Sequence, residues 1–79
     1  MQQRKGIKMP NEKKIKARII ELGLTIGKIA AQMGLSAYTL GRKISGKTQM
    51  SLSEAWELMV ILKIPEGQFT DYFFIHKVA

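Results

Sequence analysis

Cysteine is absent from the 79 residues, so neither a disulfide framework nor a thiolate metal site can staple the chain. The single histidine, His76, has no second ligand candidate at metal spacing and reads as a surface residue, since a metal needs several donors. No apolar run approaches the roughly 18 residues of a membrane span, and the N-terminus carries charge without a hydrophobic signal region. A soluble, intracellular protein is expected, with no membrane partner. Carboxylates are the other scarcity: 6 Asp plus Glu stand against 13 Lys plus Arg, a formal charge of +7. None of the 6 lies from Leu22 through Ser53.

The imbalance is uneven. Residues 1–51 hold 11 basic and 2 acidic side chains, whereas residues 52–79 hold 2 basic and 4 acidic. A random solvated surface mixes signs, so a carboxylate-free stretch carrying Lys28, Arg42, Lys43 and Lys47, with no local neutralising partner, favours a polyanion as partner. At 79 residues the chain forms one domain with a modest core.

Periodicity predicts five short helices. Residues 1–10, MQQRKGIKMP, have no amphipathic period and carry Arg4, Lys5 and Lys8; a flexible basic arm is expected there, of the kind that can lie along phosphates or enter a minor groove. Asn11 can cap a first helix to about Leu22, with Ile15, Ile19 and Leu22 inward and Gly23 closing it. Thr25 caps a second, burying Ile26, Ile29, Ala30 and Met33. Ser51 to Glu54 form a capping-box pattern before a fourth helix, whose expected core stripe is Leu52, Ala55, Met59 and Leu62, widened by Trp56, Leu58, Val60 and Ile61. Pro65 can open a fifth. Its Phe69, Tyr72 and Phe73 would cover the core, and the remainder, residues 75–79, would be a tail. The fifth helix and Phe74 to Ala79 are the expected homodimer surface.

The most informative stretch is TIGKIAAQMGLSAYTLGRKI, residues 25–44. A small Ala30 lets two helices cross closely, Gly34 can end the first in the left-handed conformation, and Ser36 can cap the next. With Leu40 and Ile44 inward, a step of about 100° per residue puts Tyr38 and Arg42 outward, flanked by Thr39, Gly41 and Ser45. An arginine fork suits the acceptors of guanine and an aromatic edge suits the thymine methyl, so this is a DNA-reading helix-turn-helix pattern. Lys28, Lys43 and Lys47 would neutralise phosphates, with the Thr39 hydroxyl among them.

Residues 41–48, GRKISGKT, also satisfy the phosphate-loop pattern GxxxxGK[ST]. That loop works between a buried strand and a helix N-terminus. Here a helical pattern precedes it, a turn-rich TQMS follows, and the Mg²⁺-holding acid after a second strand is missing. Neither a nucleotide nor any other cofactor is expected, nor an enzyme.

Leu24-Thr25, Ile29-Ala30, Met33-Gly34-Leu35-Ser36, Thr39-Leu40 and Ser45-Gly46-Lys47 give residues 13–74 a pattern that resembles the phage repressor and Cro-like helix-turn-helix family, also called the Xre family. Arg42 to Thr48, then Leu52-Ser53-Glu54-Ala55 and Tyr72-Phe73-Phe74, are similar to small phage-associated members in bacteria. The resemblance implies an all-α, compact five-helix bundle of the lambda-repressor type over residues 11–74. It also implies sequence-specific binding of double-stranded DNA by a repressor-like regulator, usually a homodimer on a palindromic operator in the cytoplasm of a bacterial or phage-infected cell. Carried over by position, base contacts fall on Ala37, Tyr38 and Arg42, and phosphate contacts on Thr25, Ser36, Ser45 and Lys47. Where many members place glutamine at the start of the second helix, this chain has Ile26. The other expectation is a helical interaction module, an adaptor or anti-repressor, that binds a protein through Trp56 and the C-terminal aromatics.

Overall fold

The computed structural model describes residues 6–76, with side chains over residues 10–73. The chain is mostly helical: α1 (Glu12–Glu21), α2 (Ile26–Met33), α3 (Ala37–Ile44), α4 (Leu52–Ile61) and a single-turn α5 (Phe69–Tyr72). Two strands, β1 (Gly6–Pro10) and β2 (Phe73–His76), pair with each other at either end of the described residues.

Each of the four longer helices starts where a short polar side chain meets an orphan amide. Asn11 accepts from Lys14 N, Thr25 from Lys28 N, Ser36 from Thr39 N and Ser51 from Glu54 N; a cap of this kind is worth about 1 kcal/mol over alanine. At Ser51 the box is complete, because Glu54 accepts in return from the Ser51 amide. α2 stops at Gly34, whose φ of 73° is the left-handed conformation in which glycine has no Cβ penalty.

The core is built from one stripe of each helix: Ile15 and Ile19, Ile29 and Ala30, Leu40 and Ile44, then Ala55, Leu58, Met59 and Leu62. Tyr72 and Phe73 close it, and Phe73 is among the largest fully buried side chains. Leu22, Ile26, Met33 and Leu35 pack against its edge.

Four expectations change. Residues 6–10 are a strand and not part of a flexible arm: β1 pairs antiparallel with β2 from Gly6 opposite His76 to Pro10 opposite Phe73, with one irregularity between Ile7 and Met9. Asn11 strengthens the junction, its amide donating to Tyr72 O at 2.8 Å and its side chain to Asp71 O at 3.3 Å. The same pairing takes residues 75 and 76 out of the expected tail; residues 1–5 and 77–79 lie outside the described residues, as does the His76 side chain. Pro65 opens a 3₁₀ turn, Glu66–Gln68, before α5, so the fifth helix is shorter than expected.

The fourth change is at the edges of α4, whose expected stripe is otherwise kept: Ala55, Met59 and Leu62 are buried. Leu52, Trp56 and Val60 are 40, 45 and 63% exposed, while Leu58 is fully buried beside the stripe. α4 has a broad apolar face interrupted by Ser53, Glu54 and Glu57, so its periodicity left the edges of that face open and packing chose them. Tyr72 and Phe73 are buried, whereas the side chains of residues 74–79, the rest of the expected dimer surface, lie outside the described residues; on α4, Leu52, Trp56 and Val60 form an exposed stripe.

Arg18 anchors the far end of α4. Its Nε donates to Leu62 O at 2.9 Å and a terminal nitrogen to Lys63 O at 3.1 Å, while the other pairs with Glu21 at 2.9 Å. A cation suits the negative end of a helix. Lys63 is left-handed, at φ 55°. Among the described residues no helix is long and apolar enough to cross a membrane.

Candidate nucleic-acid interface

α2 and α3 pack against each other through the Gly34 turn, and α3 turns Leu40 and Ile44 into the core. The 3.6-residue repeat then leaves Ala37 and Tyr38 exposed, with Arg42 half-exposed on the same outward side. Tyr38 is 74% exposed. Its ring and Arg42 form one unit, the guanidinium carbon lying 5.9 Å from the ring centroid.

These residues border a shallow depression of about 360 Å³, with Gly41, Ser45 and Lys47 on the α3 side and Glu12 and Lys16 of α1 opposite. Lys16 pairs with Glu12 at 2.8 Å on the exposed surface. The approach of α1 to this face escapes a sequence reading, because Glu12 and Lys16 show only an i, i+4 pair and nothing marks what stands across from them.

The seven expected phosphate contacts divide in two. Thr25, Lys28 and Lys47 are exposed. Thr39 is half-buried and accepts the Ser36 hydroxyl at 2.9 Å, so its own proton is free to donate outward. Ser36, by contrast, has committed its proton to Thr39. The Ser45 hydroxyl donates to Arg42 O at 3.1 Å and its amide to Gly41 O, so both of its donors are engaged within the fold.

Lys43 is a correction of another kind. Its ammonium pairs with Glu54 at 3.1 Å and donates to Gln49 O at 3.2 Å, with the side chain only 13% exposed. A neutralising partner exists, 11 residues on. Burial pushes the Glu54 carboxyl up, but hydrogen bonds from Ser51 and the Lys43 ammonium outweigh it and hold the group below its ordinary value. Lys43 therefore joins α3 to α4, and the outward cations of residues 22–53 reduce to Lys28, Arg42 and Lys47.

The GRKISGKT match begins inside α3. The Gly46 amide donates to Lys43 O, and those of Lys47 and Thr48 both donate to Arg42 O. Amides spent on a helix C-terminus cannot cradle a phosphate chain. Among the described residues no group of three or more His, Cys, Asp or Glu side chains could hold a metal ion. No family model, curated protein or solved structure matches the chain.

Proposed function

We propose that the protein binds double-stranded DNA sequence-specifically, with α3 in the major groove and α2 across the backbone, as a repressor-like regulator of the Cro-like type. One observation carries the reading: Tyr38 and Arg42 stand outward side by side, 5.9 Å from ring centroid to Cζ, on a helix whose other face is the core. The surrounding chemistry supports it, since the carboxylate-free stretch from Leu22 through Ser53 supplies the exposed Lys28 and Lys47. In this arrangement Ala37, Tyr38 and Arg42 discriminate bases, while Thr25, Lys28, Thr39 and Lys47 hold phosphates and release counterions.

A domain of this size makes few phosphate contacts. Selectivity in a genome then calls for two copies on half-sites roughly 34 to 36 Å apart. A second reading, a helical interaction module that does not touch DNA, is favoured by the exposed Leu52, Trp56 and Val60.

Fluorescence anisotropy with mixed-sequence and selected duplexes separates the two. A DNA binder shows affinity that falls steeply with salt, and Lys47→Ala weakens all sequences alike while lowering the salt slope by about one unit. Absence of binding even in dilute buffer sinks the DNA reading and leaves the interaction module.

A further inference from the structure

The segment after α3 does more than end a helix. Gly46, at φ 84°, reverses the chain and folds residues 45–48 back over the last turn. Three donors converge on the Arg42 carbonyl: Ser45 Oγ at 3.1 Å, Lys47 N at 2.9 Å and Thr48 N at 3.2 Å. The side chain is held too, its Nε donating to Thr48 Oγ1 at 3.0 Å in a half-buried site. Tyr38 stands beside the guanidinium, 5.9 Å from ring centroid to Cζ. Arg42 is thus restrained at its backbone, at Nε and by an aromatic neighbour. Among the described residues its two terminal nitrogens have no hydrogen-bond partner.

We infer that Thr48 is a positioning residue for Arg42 and that the base Arg42 reads is guanine, an inference that rests on the DNA-binding reading above. Arginine only donates. In the major groove guanine alone presents two acceptors, O6 and N7, on one base; adenine sets a donor beside its acceptor, thymine has one acceptor and cytosine a donor. With Nε already committed to Thr48, the two terminal nitrogens remain as an end-on pair, which matches two neighbouring acceptors. A long side chain ordinarily loses rotamer freedom on binding. Here the loop removes that freedom when the chain folds, so Thr48 contributes to reading without touching DNA.

The test pairs two substitutions. Thr48→Val keeps the shape and removes the acceptor, and Thr48→Ser keeps the acceptor. Selection of duplexes from a random pool identifies the site, in which a G·C pair is expected at the position whose preference Arg42→Ala abolishes. Thr48→Val is then expected to reduce the preference for that pair over A·T by about 3- to 10-fold, with non-specific affinity and salt slope unchanged. Thr48→Ser retains the preference, and Thr48→Val adds nothing in the Arg42→Ala background. Nitrogen-15 spectra of the free protein supply a readout independent of DNA: the Arg42 Nε proton is protected from exchange in the wild type and in Thr48→Ser, and exposed in Thr48→Val.

Unchanged discrimination in a folded Thr48→Val protein, or equal losses on specific and non-specific duplexes, overturns the positioning role. A selected pair other than G·C overturns the guanine assignment alone. A wild type without DNA affinity removes the underlying reading and the guanine assignment with it, and the exchange experiment still decides whether Thr48 holds Arg42.

Discussion

Gly41 lies inside α3, half-exposed, and a Cβ added there would meet nothing within 4 Å. Glycine in a helix interior costs about 0.8 to 1 kcal/mol relative to alanine. Nothing inside the fold requires that cost, because the position is neither left-handed nor crowded. It borders the same depression as Tyr38 and Arg42, where a bare backbone permits close approach of a duplex edge. Gly41→Ala is therefore expected to raise the stability of the free protein by about 0.8 to 1 kcal/mol and, on the proposed DNA-binding function, to weaken affinity for DNA. Thermal melts and anisotropy on the same preparation check both halves, and full affinity in the variant would remove the close approach.

α4 begins at a junction of three interactions, the first being the Glu54 amide donating to Ser51 Oγ at 3.1 Å. Glu54 accepts from the Ser51 amide at 2.9 Å and pairs with Lys43 at 3.1 Å, which ties the end of α3 to the start of α4. Its pKa lies below the ordinary 4.5, despite the opposing effect of burial. A carboxylate with a lowered folded pKa takes up protons less readily than in the unfolded chain, so its contribution is complete above the unfolded value and lost as pH falls through the folded one. Stability is accordingly expected to decline once pH drops below about 4.5. Glu54→Gln should flatten that decline, at some loss of stability near neutrality. Circular dichroism melts of the two proteins across this range decide it, and parallel curves would mean the pair contributes nothing measurable.

Strands β1 and β2 pair where α5 ends, and the joint is closed by a buried aromatic ring. Phe73 is fully buried at the joint between α5 and β2, its ring 5.1 Å from Phe69, which in turn lies 6.0 Å from Trp56. Its strand partner is Pro10, itself buried. Truncating such a side chain costs about 3 to 5 kcal/mol, against a total of about 5 to 15 kcal/mol for an ordinary domain. Phe73→Ala is expected to lower the urea midpoint sharply, or to leave the protein largely unfolded at room temperature. Trp56 fluorescence follows the transition, and a midpoint close to the wild type would show that the lid is dispensable.

Asn11, Thr25, Ser36 and Ser51, the Gly34 break, and Leu40 with Ile44 opposite Tyr38 with Arg42 are all legible from residue order, because each depends on neighbours no more than four positions away along a helix. What order alone left open involves partners distant in the chain or an ambiguous face. β1 meets β2 across nearly the whole length, Arg18 reaches Leu62, Lys43 finds Glu54, and α4 leaves Leu52 exposed only when packed. Local hydrogen bonding sets where helices start and stop. Burial of apolar area sets which faces meet, and that choice decided which of the basic and hydroxyl side chains of residues 25–48 still face outward.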